Sequence, residues 1–198
     1  MSRRTFGQRM RYLGLKWRAM ASLALGLNDA AARVFEQMLV EFPLDTYAMA
    51  SLAHLLSQAG RRREAIELLG ALTAKDDSDA HSWFNLGFML EQESDFDRAE
   101  AALRRATELS PQLDRAWYGL GLVLIQMRRF DEAVEALKRN TELQPMSPYG
   151  WYQLARVHVD RHDPDEAVKI IRHLKGFEPK VAAQLERETG LLAGQRAS

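Results

Sequence analysis

The chain contains no cysteine, which removes a disulfide framework, a thiolate nucleophile and a cysteine zinc site from consideration. It also lacks a charge excess. Its 27 basic and 27 acidic residues cancel over 198 positions, and a nucleic-acid surface needs a basic excess on one face. No phosphate-cradling glycine loop, G-x-S-x-G or H-E-x-x-H is present. No acid/base pair stands out, so the sequence reads as non-enzymatic, without cofactor and without nucleic acid as a partner. A bilayer span needs about 20 apolar residues in a row, and the sequence offers none.

What the chain does have is repetition. Trp83-Phe84-Asn85-Leu86-Gly87 is followed by Ala99, Leu103, Ala106 and Pro111. Moving 34 residues forward gives Trp117, Leu120, Gly121, Ala133, Leu137 and Pro145; a further 34 gives Trp151, Leu154, Ala155, Ala167, Ile171 and Pro179. Moving back gives Met49, Leu52, Ala53, Ala65, Leu69 and Leu72. Chance apolar periodicity does not hold a phase of this length.

The unit, W-x2-L-G followed by Ala, a large apolar residue, a third mostly apolar position and Pro at fixed offsets, resembles the tetratricopeptide repeat. The resemblance covers about residues 12–181 in five copies: 12–45, 46–79, 80–113, 114–147 and 148–181. It implies an all-α fold, a right-handed superhelix of about five helix-turn-helix repeats, closed by a C-terminal capping helix. It implies a protein-binding module without naming the ligand.

Within a repeat, Trp83, Leu86, Gly87 and Leu90 form one stripe of helix A, and Ala99, Leu103 and Ala106 the answering stripe of helix B. Ala recurs at the first helix B position (Ala31, Ala65, Ala99, Ala133, Ala167), and Ala or Gly at the Gly87 position. Small residues at two facing points let the helices approach closely. In the third copy the pattern predicts helix A over about 80–92, a turn at 93–95 and helix B over about 96–109. Asp29, Asp97, Asp131 and Asp165 fall in the first turn of helix B, where the helix dipole favours a carboxylate. Ser147-Pro148 reads as a capping residue and a first-turn proline. Arg61-Arg62-Arg63 is read as filling the turn of the second copy. Asp76-Asp77-Ser78-Asp79 lacks a calcium loop's spacing, and is read as a helix cap that offsets those arginines.

The first 28 residues are polarised, with Arg3, Arg4, Arg9, Arg11, Lys16 and Arg18 and no acid before Asp29. Residues 1–11 are read as a basic segment preceding the repeats. Ser2-Arg3-Arg4-Thr5-Phe6 looks like the start of a twin-arginine signal, but the longest uncharged stretch that follows, Ala19 to Asn28, is ten residues. The sequence therefore favours a cytoplasmic location over export. The plain reading of the segment is a partly frayed basic helix on a capping repeat. The sharper one is electrostatic docking of residues 1–28 on an anionic membrane or an acidic partner. Arg18 stands where the repeat has Leu, which calls for a rotated or exposed helix. At the other end, Val181, Leu185 and Leu192 share a face of a final helix over about 180–193, and Gly194–Ser198 reads as a frayed tail.

In repeats of this kind the A helices stand side by side along a concave wall. At 100° per residue, the face turned to it carries Tyr47, Ser51 and His54; His81, Phe84, Asn85 and Phe88; Arg115 and Tyr118; Tyr149, Tyr152, Gln153 and Arg156. Aromatics, amides and arginine are the stock of a peptide-binding groove; the alternative is that the rings only pack between neighbouring helices. Family members that grip a chaperone's terminal carboxylate use Lys and Asn at fixed positions. Matching those positions onto the second to fourth copies gives Ala50, His54, Asn85, Arg115 and Gly119, so only His54, Asn85 and Arg115 remain as a reduced carboxylate contact.

His158 and His162 have a spacing that bridges a metal from one helix, but His158 falls on a core position and His162 in a turn, so no metal is expected. His173 reads as an ordinary helix B residue. The sequence thus points to an adaptor that holds a partner peptide in its groove. The rivals are a membrane-associated assembly factor docked through its basic N-terminus and a scaffold self-associating through helix ends. The composition reads as bacterial; oligomeric state, pathway and partner identity stay open.

Overall fold

The structure, a computed structural model, describes residues 5–192. Among them are eleven helices and no strand: α1 (Phe6–Ala24), α2 (Asn28–Glu41), α3 (Thr46–Gln58), α4 (Arg62–Lys75), α5 (Ala80–Gln92), α6 (Phe96–Leu109), α7 (Asp114–Gln126), α8 (Phe130–Leu143), α9 (Pro148–Asp160), α10 (Pro164–Lys175) and α11 (Pro179–Thr189). The fold is an all-α solenoid of paired helices, and α5 and α6 end where the periodicity places their ends. The chain forms two compact units that meet in sequence inside α5, Met1–Met89 and Leu90–Ser198. Arg3, Arg4 and the tail Gly194–Ser198 lie outside the described residues.

In the first unit α1 packs on α2, α2 on α3 and α3 on α4. Phe35 and Met38 of α2 are fully buried between Leu15 and Ala19 on one side and Leu52, Leu55 and Leu56 on the other. Removing an apolar side chain of that size from water contributes about 2–3 kcal/mol. α1 is 19 residues long against 13 for α3, and it is continuous across residues 11 and 12. Its N-terminus is capped: the Gln8 amide N–H donates to Thr5 Oγ1 (3.3 Å) and the Thr5 N–H to Gln8 Oε1 (2.9 Å). Arg18 is exposed while Ala19 beside it is fully buried, so the helix turns its one misfit charge outward.

In the second unit each helix from α6 to α11 packs on the next. Gly121 shows why the small positions are small. A Cβ there would stand 2.7 Å from Cγ and Cδ2 of Leu137, a buried helix B residue. All five helix B alanines are fully buried.

The turns between paired helices obey the same period. Gly26, Gly60, Ser94, Arg128 and His162, spaced by 34, all take left-handed φ between 59° and 77°. In each turn the following N–H returns to a carbonyl five residues back, from Leu27 to Ser22, Arg61 to Leu56, Asp95 to Leu90, Arg129 to Leu124 and Asp163 to His158, at 2.8–2.9 Å. This is a Schellman closure, whose left-handed residue is ordinarily glycine. The sequence reading did not identify it, because only two of the five residues are glycine.

Several local expectations change. α4 begins at Arg62, so only Arg61 belongs to the turn, and Arg61 binds Glu64 (2.6 Å) rather than the acidic run. In that run, Asp79 caps α5 by accepting from the N–H groups of His81 and Ser82. Ser147 occupies the N-cap of α9 without a side-chain capping bond, leaving the fixed φ of Pro148 to start the helix. The last helix stops at Thr189 because Gly190 turns left-handed at φ 71°, which leaves Leu192 exposed outside it. Ala182 and Leu185 carry the burial.

Candidate functional site

The three indoles fix how each of their A helices begins. Trp83 donates to the carbonyl of Asp77 (3.1 Å), Trp117 to that of Pro111 (3.0 Å) and Trp151 to that of Pro145 (2.9 Å), each reaching six residues back. The fastened helix start holds the residues beside the indole in a set direction.

In the second unit this places Arg115 and Tyr118 of α7, Tyr149 of α9, and Asn140 and Gln144 of α8 and its end around one cavity of about 300 Å³. Asp114 and Ser147 complete its lining. Tyr149 is 71% exposed at the rim, while Asn140 is 6% exposed at the wall. Asn140 Nδ2 donates to the Asp114 carbonyl at 2.9 Å, satisfying a half-buried backbone acceptor. Its Oδ1 lies where a Cβ on residue 150 would be, 2.2 Å away, so Gly150 is the residue that makes room for it. The cavity therefore offers a guanidinium, two phenols and two amides at the rim and wall of a small recess, a set suited to polar main chain and one side chain of a bound segment.

Asn140, Gln144 and Ser147 were missed by the sequence reading, which searched only helix A. A signal existed: Asn140 is the polar exception at a helix B position held elsewhere by Met38, Leu72, Ala106 and Leu174.

Farther along α9, the Tyr152 hydroxyl donates to Glu188 of α11 at 2.6 Å, and Arg156 lies over the Tyr152 ring, 5.8 Å from its centroid. The Glu188 carboxylate, and then burial, hold the Tyr152 phenol above its ordinary value. Tyr152 and Gln184, as donors, hold Glu188 below its own. Two residues expected in the groove thus serve the docking of the last helix. Gln153 is half-buried between them.

In the first unit, Phe84 and Phe88 stack at 6.3 Å with Phe88 exposed, and exposed His81 and Asn85 lie on the same stretch of α5. Tyr47 sets its edge against Phe35 (5.8 Å) and receives Lys16 Nζ over its ring at 4.5 Å. His54 shares a ring nitrogen with Gln58 Nε2 at 3.0 Å. Of the reduced carboxylate set, His54 and Asn85 belong to this unit and Arg115 to the other. His158 is buried with Nδ1 3.2 Å from Asp163 Oδ2, and no metal-holding cluster of His, Asp and Glu occurs among the described residues. His173 packs on Trp151 and Phe177. No described helix is long and apolar enough to cross a membrane.

Paired helices closed by one recurring turn define a helical repeat scaffold. Two family models, both described as tetratricopeptide repeat, match residues 50–114 and 90–152, together more than half of the sequence. The chain belongs to the tetratricopeptide repeat family, whose members are generally adaptors rather than enzymes.

Solved structures agree on the fold. The chain is similar to the crystal structure of MamA protein (22% identity, TM-score 0.78, covering 94% of this chain and 98% of that one). A second crystal structure of MamA gives 25% identity, TM-score 0.75, and 87% and 96% coverage. YrrB, a TPR protein with an unusual peptide-binding site, gives 16% identity, TM-score 0.78, and 85% and 88% coverage. A search of curated proteins found no match.

Proposed function

We propose that the chain is a non-catalytic adaptor that holds a segment of a partner protein, with the recess at Arg115, Tyr118 and Tyr149 as its principal contact in the second unit. The observation that carries this reading is the recess itself. Rings supply contact area at small entropic cost, and Arg115 with the Gln144 amide supplies directional bonds to main chain or carboxylate. Tyr149, standing mostly in solvent, has no packing role that requires so large a ring.

The Phe84/Phe88 stack, with Asn85 and His81, is a second contact of the same chemistry in the first unit. The test is affinity capture from soluble and membrane fractions, comparing the natural chain with an Arg115→Glu, Tyr118→Ala double variant of unchanged melting temperature. A partner lost by the folded variant supports the recess as the site. Retention of every partner by the variant refutes it.

A further inference from the structure

The residues of α1 divide into two apolar faces, of which its own fold uses one. Leu15 and Ala19, with Tyr12 beside them, pack into the core of the first unit. Phe6, Met10, Leu13, Trp17 and Met20 recur at alternating steps of four and three, and at 100° per residue they fall within an arc of about 80° on the opposite side of the helix. All five are exposed: Phe6 by 82%, Trp17 by 68% and Met10 by 55%. A solvated helix face carries Lys, Glu and Ala; this one carries Phe6 at its start, the Trp17 indole one turn before its end, and Met or Leu at the other three places.

The charge around the stripe is of one sign. α1 contains Arg9, Arg11, Lys16 and Arg18 and no acidic residue. Arg11 turns toward α2 and binds Glu41 at 2.6 Å, and Lys16 lies over Tyr47. Arg9 and Lys16 lie seven residues apart along one edge of the stripe, with Gly7, Gly14 and Ala21 along the other.

This arrangement distinguishes between occupants. A second copy pairing antiparallel through the same stripe would bring Arg9 and Lys16 against their own counterparts. Pairing parallel would set them against Gly14 and Ala21. Neither offers a carboxylate, and the first adds repulsion. An anionic bilayer satisfies both features at once: the acyl boundary takes the apolar stripe and the phosphates take the cations.

We infer that α1 is a lipid-docking helix that lies in the interface of an anionic phospholipid membrane, burying Phe6, Met10, Leu13, Trp17 and Met20 while its other face stays packed on α2. The helix lies on the membrane and does not span it. The docking uses no residue of the recess, so it stands or falls independently of the partner-binding reading.

The full chain is tested by co-sedimentation with phosphatidylcholine vesicles, alone and containing phosphatidylglycerol. The natural chain is expected to pellet only with the anionic vesicles and to be released by salt. Met10→Ser/Trp17→Ser, at exposed positions, weakens binding at least about tenfold without changing the melting temperature. Arg9→Glu/Arg18→Glu does so on the anionic vesicles, and Arg115→Glu/Tyr118→Ala leaves binding intact. In the natural chain brominated lipid quenches indole emission, and Trp17→Phe abolishes the quenching, since the other three indoles are fastened to backbone carbonyls. Absence of pelleting, or equal pelleting by the Met10/Trp17 variant, overturns the inference. So does a dimer in sedimentation velocity that this variant dissolves, because a second copy then covers the stripe.

Discussion

The hydroxyl of Tyr152 donates to the carboxylate of Glu188 across 2.6 Å, joining α9 to a helix that begins 27 residues later at Pro179. Ala182 and Leu185 bury the apolar side of α11, and this bond sets how the helix lies against α9. Tyr152→Phe is expected to leave α11 formed but more often undocked, with amide exchange over residues 179–189 several-fold faster and the rest of the second unit unchanged.

The same pair gives a pH window with two edges. Glu188 titrates below its ordinary value of 4.5, so its contribution is complete above that value and is lost as pH falls through the lowered one. Tyr152 titrates above its ordinary 10.0, so its contribution is complete below 10.0 and is lost as pH rises through the raised value. Amide protection of α11 should form a plateau between these limits. In Tyr152→Phe the alkaline edge disappears.

Asn140 and Gly150 are expected to be coupled. Gly150→Ala drives a Cβ to 2.2 Å from Asn140 Oδ1 and should cost about 1–3 kcal/mol. Asn140→Ala leaves the Asp114 carbonyl without its donor, at about 1–3 kcal/mol. The double variant removes the clash and recreates the Ala106 and Ala116 residue types of the preceding repeat, both fully buried. Urea melts should show it less destabilised than the sum of the single changes; strict additivity would mean that the two side chains do not meet.

Three of the turns are held left-handed by residues with a Cβ. Ser94→Gly, Arg128→Gly and His162→Gly relieve that conformation and are each expected to raise stability by up to about 1 kcal/mol. Gly60→Ala, at φ 77°, should lower it by a similar amount. Thermal melts of the four single variants check both signs.

Glu100 and Glu132 bracket Arg104 and Arg129 in one ionic cluster of the second unit. Glu100 receives Arg129 at 2.5 Å and Arg104 at 2.7 Å; Glu132 receives them at 2.7 and 2.6 Å. The Glu100 side chain is far less exposed than that of Glu132, so Glu100→Gln should lower the melting temperature more than Glu132→Gln, and by less in high salt.

Much of this was legible in the residues alone. A 34-residue phase carried by Trp, Leu, small and Ala positions determines helix pairs, since each class of residue has one place in close-packed helices. The recess was half legible. Arg115, Tyr118 and Tyr149 lie on a helix face that geometry predicts, but Asn140 and Gln144 come from the other helix of the pair, and only packing brings the two sets together. The exposed stripe of α1 was hidden for a related reason: Leu15, Ala19 and Trp17 are equally apolar in sequence, and which of them the core takes is decided by α2. Schellman turns escaped because Ser94, Arg128 and His162 adopt the left-handed conformation that glycine ordinarily marks.

Each of these indole N–H groups donates to a main-chain oxygen, and in the first unit that oxygen belongs to Asp77 where the later repeats have proline. A joint that reads only backbone is blind to the identity of the residue it grips. The junction can therefore be cut and rejoined: a whole 34-residue block duplicated, deleted or transplanted at this point meets the same carbonyl and the same indole. Length in such a chain is an adjustable quantity as far as this joint is concerned, and the contacts that remain to be matched at a new junction are side-chain ones such as Asn140 against Gly150.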